Sequence, residues 1–149
     1  LRDLPHGPVF LEYFRIFHGS PVDEDDYLSS PQDVMPIRFH VEGHISFFGH
    51  THVQGGFFLT HKNIVRIPRP PLESAGQELE LEENMRYLIN PGSVGQPRDG
   101  DPRAAYVLYD TAQPRLTYCR VTYDVAGAQG RIREEGLPDV LANRLAIGA

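Results

Sequence analysis

The stretch FFGHTHVQGG, residues 47–56, sets His50 and His52 one residue apart, where an apolar run meets Gly49. Neutral imidazole is a ligand for zinc, iron, nickel and, more weakly, manganese. A strand sends alternate side chains to opposite faces, but a loop turning at glycine can aim both rings into one cleft. Two histidines do not complete a catalytic metal site, which normally takes three protein ligands and keeps one position open. His18 is a third candidate, because the run YFRIF likewise ends in His-Gly, at His18 and Gly19. Two apolar strands that each terminate in histidine beside glycine would place their tips together at one sheet edge, where layered folds bind ligands. His6, His40, His44 and His61 show no convergent partners and are read as surface or satisfied core residues.

The elements that would carry these residues are mostly strands. Residues 8–21 read as two strand-like runs, VFLEYF and RIFHG, rich in aromatic and β-branched residues. Residues 20–34 are acidic and turn-rich, and read as a surface loop with one helical turn at most. HISFFGHTH (44–52) is a short apolar strand that stops at Gly49, and residues 55–70 form a hairpin turning at HKN. Alternation around Leu79 and Leu81 marks a strand, followed by RYLIN and an Asn-Pro-Gly turn. AAYVLYD and LTYCRVTYD (104–110 and 116–124) are two more strands, joined by a loop with Pro114. Beyond them the period changes, and Ile132, Leu137, Val140, Leu141 and Leu145 suggest two short helices broken near Gly136 and Pro138.

Composition narrows the classes. The chain has 149 residues, 40% hydrophobic and 23% charged, which suits one domain or a piece of a somewhat larger one. A net charge of −6 argues against bulk nucleic-acid binding, leaving a nucleotide as the only nucleic-acid-like substrate expected. One cysteine, Cys119, rules out an internal disulfide and fits a reducing compartment, so a cytoplasmic location is expected. No apolar run approaches the roughly 20 residues that span a bilayer, and no membrane partner is expected. The acidic loop DEDDY (23–27) lacks the spaced oxygen ligands and central glycine of an EF-hand and reads as a solvated loop.

Three motifs in order, FHGSP (17–21), FFGHTHVQ (47–54) and LINPGSVGQPRDGDPRAAYVLYD (88–110), resemble the C-terminal half of calcineurin-like metallophosphoesterases, most nearly the small bacterial phosphatase and phosphodiesterase types. The resemblance spans about residues 9 to 124. It implies an α+β fold, part of a four-layer α/β/β/α sandwich, with this segment β-rich and supplying mainly the second sheet. It implies metal-dependent hydrolysis of phosphate mono- or diesters by two divalent transition metals: manganese, iron, zinc or nickel. In the family pattern His18 and His50 would ligate one metal and His52 the other, with Gly19 and Gly49 giving tight turns beside them. Asn90, Gly92 and Ser93 match the family turn that supports the metal-binding loops. Arg98 or Arg103 would contact a substrate phosphate, since guanidinium matches phosphate oxygens bidentately. Ser20 and Thr51 are near enough to orient an imidazole, although turn hydrogen bonding suits both.

The family's first half supplies an Asp-x-His pair, a bridging Gly-Asp and an Asn-His, and none of these stands ahead of the histidine motifs here. With Leu1 rather than Met at the start, residues 1–149 are expected to be the C-terminal portion of one metallophosphoesterase domain. The N-terminal half is then a partner, and this segment alone is expected to be inactive and poorly stable. The alternative is a non-catalytic metal-binding or interaction module that keeps the scaffold. Residues 22–35 follow His18 and are expected to overhang the cleft and exclude some substrates.

Overall fold

The computed structural model describes residues 7–72 and 74–149, so the surface reading of His6 falls outside the described residues. The chain opens with β1 (Val9–Phe10) and β2 (Arg15–Ile16), paired antiparallel. The two runs read from 8–21 are thus far shorter strands than the sequence suggests, because Leu11 N–H donates to the Phe14 carbonyl and closes a turn inside VFLEYF.

Helix α1 (Pro31–Ile37) follows, and it replaces the single helical turn expected in 20–34. Pro31 sits where a helix needs no N–H, and the Asp33 carboxylate accepts from the backbone N–H of Ser29 and Ser30 at 2.9 and 2.7 Å. Next come β3 (Ile45–Phe47), the hairpin β4 (Gly55–Leu59) and β5 (Ile64–Ile67), β6 (Gly76–Glu80) and β7 (Arg86–Asn90). The chain ends with β8 (Ala104–Asp110), β9 (Arg115–Val121), α2 (Val125–Glu134), α3 (Asp139–Asn143) and a last helical turn, Arg144–Ala146.

These strands make two sheets, six strands ordered β1-β2-β3-β7-β4-β5 and three ordered β6-β9-β8. The segment therefore contributes to both sheets of a sandwich, not mainly to one as expected. In the larger sheet β2, β3 and β7 are neighbours and parallel, and α1 provides the crossover that a parallel β2–β3 pair requires. Alternation along β7 divides the core. Leu88 faces a cluster with Phe17, Val34, Ile37, Phe48, Phe57 and Leu59, which seats α1 on one face. Tyr87 and Ile89 face the other, with Ile45, Ile67 and the β9 residues Leu116 and Tyr118. Each such apolar side chain contributes about 1.5–3 kcal/mol when fully buried, so the parallel strands are gripped from both faces. Their carboxyl ends all open at one edge, and that edge carries the histidines.

Candidate metal centre

Backbone pairing continues past the strand ends and draws the two histidine segments together. Phe17 N–H donates to the Phe47 carbonyl at 3.0 Å, and Gly49 N–H donates to the His18 carbonyl at 2.8 Å. The imidazoles then face each other: His50 Nδ1 lies 2.8 Å from His18 Nε2, with ring centroids 4.7 Å apart. Two imidazoles on one tetrahedral zinc, with bonds of about 2.0–2.1 Å, would have nitrogens roughly 3.3 Å apart. At 2.8 Å the two nitrogens share a hydrogen bond, so holding one ion would require them to part, to free the bonded nitrogen of its proton and to turn both lone pairs toward it; imidazole donors suit a transition metal.

His50 and His52 both have left-handed backbones, with φ of 59° and 57°. Non-glycine residues persist there when their surroundings over-determine them, a pattern concentrated at functional sites. Gly49 itself is not left-handed, and an added Cβ there would meet His18 at 3.7 Å, so the left-handed residues of this turn are the two histidines. Thr51 N–H donates to the Gly49 carbonyl at 2.6 Å, closing a three-residue turn centred on His50. Asn90, 1% exposed, locks that turn: its amide nitrogen donates at 2.9 Å to both the Gly49 carbonyl and the Thr51 hydroxyl. Its carbonyl oxygen accepts from Gly92 N–H at 2.9 Å. Gly92, with φ of 84°, is obligatory, because a Cβ there would stand 2.6 Å from that of Ala105.

His52 is oriented separately. Its Nδ1 lies 2.8 Å from the Gln96 carbonyl, which fixes the tautomer with a proton on Nδ1 and leaves Nε2 as the donor to a metal. Ser93 sets up that carbonyl, its hydroxyl accepting from Gln96 N–H at 2.9 Å. Among the described residues no group of three or more His, Cys, Asp or Glu converges on one point. What the described residues do bring together is the pair His18 and His50, with His52 two positions further along the same turn.

The other sequence candidates divide clearly. Arg103 forms an ion pair with Asp101 at 2.6 Å and also bonds the Leu72 carbonyl, so its guanidinium is committed. That partnership holds the Asp101 carboxyl below the usual carboxylate range. Arg98 lies beside the site: its N–H donates to the His52 carbonyl at 3.1 Å, and Nη2 donates to Gln96 Oε1 at 2.9 Å. Its buried Nε has no partner among the described residues. Gly19 is required for packing, since a Cβ would lie 2.5 Å from the Glu24 carbonyl oxygen. The Ser20 hydroxyl accepts from Val22 and Asp23 N–H at 3.1 and 3.0 Å, ordinary turn bonding. His44 is satisfied by the Glu82 carbonyl at 3.0 Å, while His40 and His61 are exposed.

Sequence reading missed three features. Tyr27 rests on His50, with ring centroids 4.0 Å apart. Gln54, fully buried, donates to the carbonyls of Pro91, Tyr106 and Cys119 at 3.1–3.2 Å and accepts from Arg120 Nε at 2.9 Å. Arg120 in turn pairs with Asp99, and both side chains are nearly inaccessible at 6% and 3%. Asp99 also accepts from Gln54 N–H at 3.0 Å. The only sequence signal was the position of Gln54 two residues beyond His52.

Comparison with known proteins finds a likeness of fold. A metallophosphoesterase crystal structure from Sphaerobacter thermophilus superposes on the whole chain with a TM-score of 0.86 and 34% identity. The chain covers 61% of that structure. An uncharacterized protein of Methanocaldococcus jannaschii is 35% identical over 111 residues, 71% of this chain and 40% of the relative. The chain thus spans less than two thirds of the relatives it matches. No family model matches the sequence. The chain shares its fold with that metallophosphoesterase over its whole length. No helix among the described residues is long and apolar enough to cross a membrane.

Proposed function

We propose that this chain is the C-terminal portion of a dinuclear metallophosphoesterase domain that hydrolyses phosphate mono- or diesters in the cytoplasm. The observation carrying the proposal is the facing pair His18 and His50 at the carboxyl edge of three parallel strands, with His50 and His52 both held in left-handed conformations. His18 and His50 would hold one divalent ion and His52 the second, with manganese, iron, zinc and nickel all compatible with imidazole donors. Bound there, such ions supply Lewis acidity toward the phosphoryl group and a hydroxide nucleophile at neutral pH. Asn90 fixes the turn that aims His50, and the Gln96 carbonyl keeps a proton on His52 Nδ1. Arg98, whose backbone N–H donates to the His52 carbonyl, is the better placed arginine for a non-bridging phosphate oxygen. Arg103 instead anchors its loop through Asp101. The remaining ligands would come from residues outside this chain, which covers 61% of the Sphaerobacter structure.

The convergence of only two imidazoles also favours a second reading, a metal-binding module without turnover. Hydrolysis of p-nitrophenyl phosphate by the longest native form, with manganese or zinc supplied, separates the two. The phosphoesterase reading expects turnover that falls to background in a His50→Ala, His52→Ala double variant. Metal uptake without turnover in the parent would leave the binding module.

A further inference from the structure

Resting on the phosphoesterase reading, we propose that Tyr27 forms the wall that receives the ester group of the substrate, and that this group is a flat ring. Tyr27 leans on His50 with a centroid separation of 4.0 Å and an interplanar angle of 51°, yet 55% of its surface remains open. One part of the ring is therefore held against a candidate metal ligand, and the rest faces the space beside it. An exposed aromatic face at that position is a stacking platform, and stacking tolerates any planar ring.

The loop that delivers Tyr27 is fixed at several points. Leu28, its neighbour, is 3% exposed and packs in the core beneath. Arg66 Nη2 donates to the Ser29 carbonyl from the opposite side. Upstream, Ser20 N–H donates to the Asp23 carbonyl at 2.8 Å, and Gly19 lets the backbone of 24–26 lie directly against the end of the His18 segment. A ring delivered by so constrained a loop loses little freedom on stacking, which is what makes a platform effective.

Calorimetric binding to the manganese-loaded full-length protein tests this, with adenosine 5′-monophosphate, phenyl phosphate, ribose 5-phosphate and inorganic phosphate as probes. In the parent, one or both ring-bearing esters should bind more tightly than ribose 5-phosphate; a larger gain for the nucleotide points to a nucleobase, and a larger gain for phenyl phosphate to an aryl ester. Tyr27→Leu, which keeps bulk against His50 but removes the ring, should weaken the preferred ester about tenfold. It should leave ribose 5-phosphate and inorganic phosphate within about twofold, and Tyr27→Phe should retain the preference, as aromatic stacking needs only the ring. Equal weakening of all four probes by Tyr27→Leu would overturn the proposal, since Tyr27 would then act only by positioning His50. No preference for ring-bearing esters in the parent would also overturn it, while inorganic phosphate binding would leave the phosphoesterase reading standing. Failure of every probe to bind the parent would remove both.

Discussion

His50 carries a backbone conformation that costs an ordinary side chain about 1–2 kcal/mol relative to glycine, with φ at 59° and His52 alike at 57°. A sequence under pressure only for stability would place glycine there. His50→Gly should therefore unfold at higher urea than His50→Ala, by about 1 kcal/mol, although both lack the imidazole. Equal stabilities would mean that the turn relaxes once the histidine is gone. Asp101 provides a pH-dependent counterpart. Its carboxyl titrates below the unfolded value of 3.8, first because of the hydrogen bond from Arg103 and against the opposing effect of burial. A depressed folded-state value contributes stability above the unfolded value and loses it as pH falls through the folded one. Thermal unfolding of Asp101→Asn and the parent should differ at neutral pH and converge as the pH falls below about 3.8. A gap that is constant with pH would show that the ion pair is not its source.

At the scale of elements, the histidine turn is joined to the smaller sheet through Gln54, Arg120 and Asp99. Arg120→Met should destabilise the protein by about 3–5 kcal/mol in denaturant unfolding, because it strands the buried Asp99 charge. Adding Asp99→Leu should recover much of that loss. A loss under 1 kcal/mol for the single variant would mean that water reaches Asp99. Much of this architecture was legible in the sequence. The β4–β5 hairpin and its turn, the stop at Gly49 and the break between α2 and α3 are written in local patterns of apolar residues, glycine and proline. His18 and His50 could be paired because each ends an apolar run. The polar clamp could not, since Gln54 and Arg120 are 66 positions apart and nothing local distinguishes them from surface residues. Helix α1 was obscured by Pro31 and Pro36, which read as loop until the Asp33 cap and the buried Val34 and Ile37 are seen. Tyr27 was hidden within an acidic run whose character suggests only solvation.

Among the described residues the larger sheet ends at β1 on one side and at β5 on the other. At the β1 side Phe10 and Phe39, 62% and 73% exposed, line a cleft with Arg15 and Ser46. An edge strand of this kind invites pairing or cover. The proposed assignment of His18, His50 and His52 to a two-metal site at the carboxyl ends of the parallel strands predicts a definite metal content. Elemental analysis of the longest native form of the protein should find about two transition metals per chain, the number a dinuclear phosphoesterase centre requires. His18→Ala and His50→Ala should each lose the same single ion, and His52→Ala the other. A parent protein that stays metal-free after manganese or zinc is supplied, or a metal content indifferent to His18, would contradict the account.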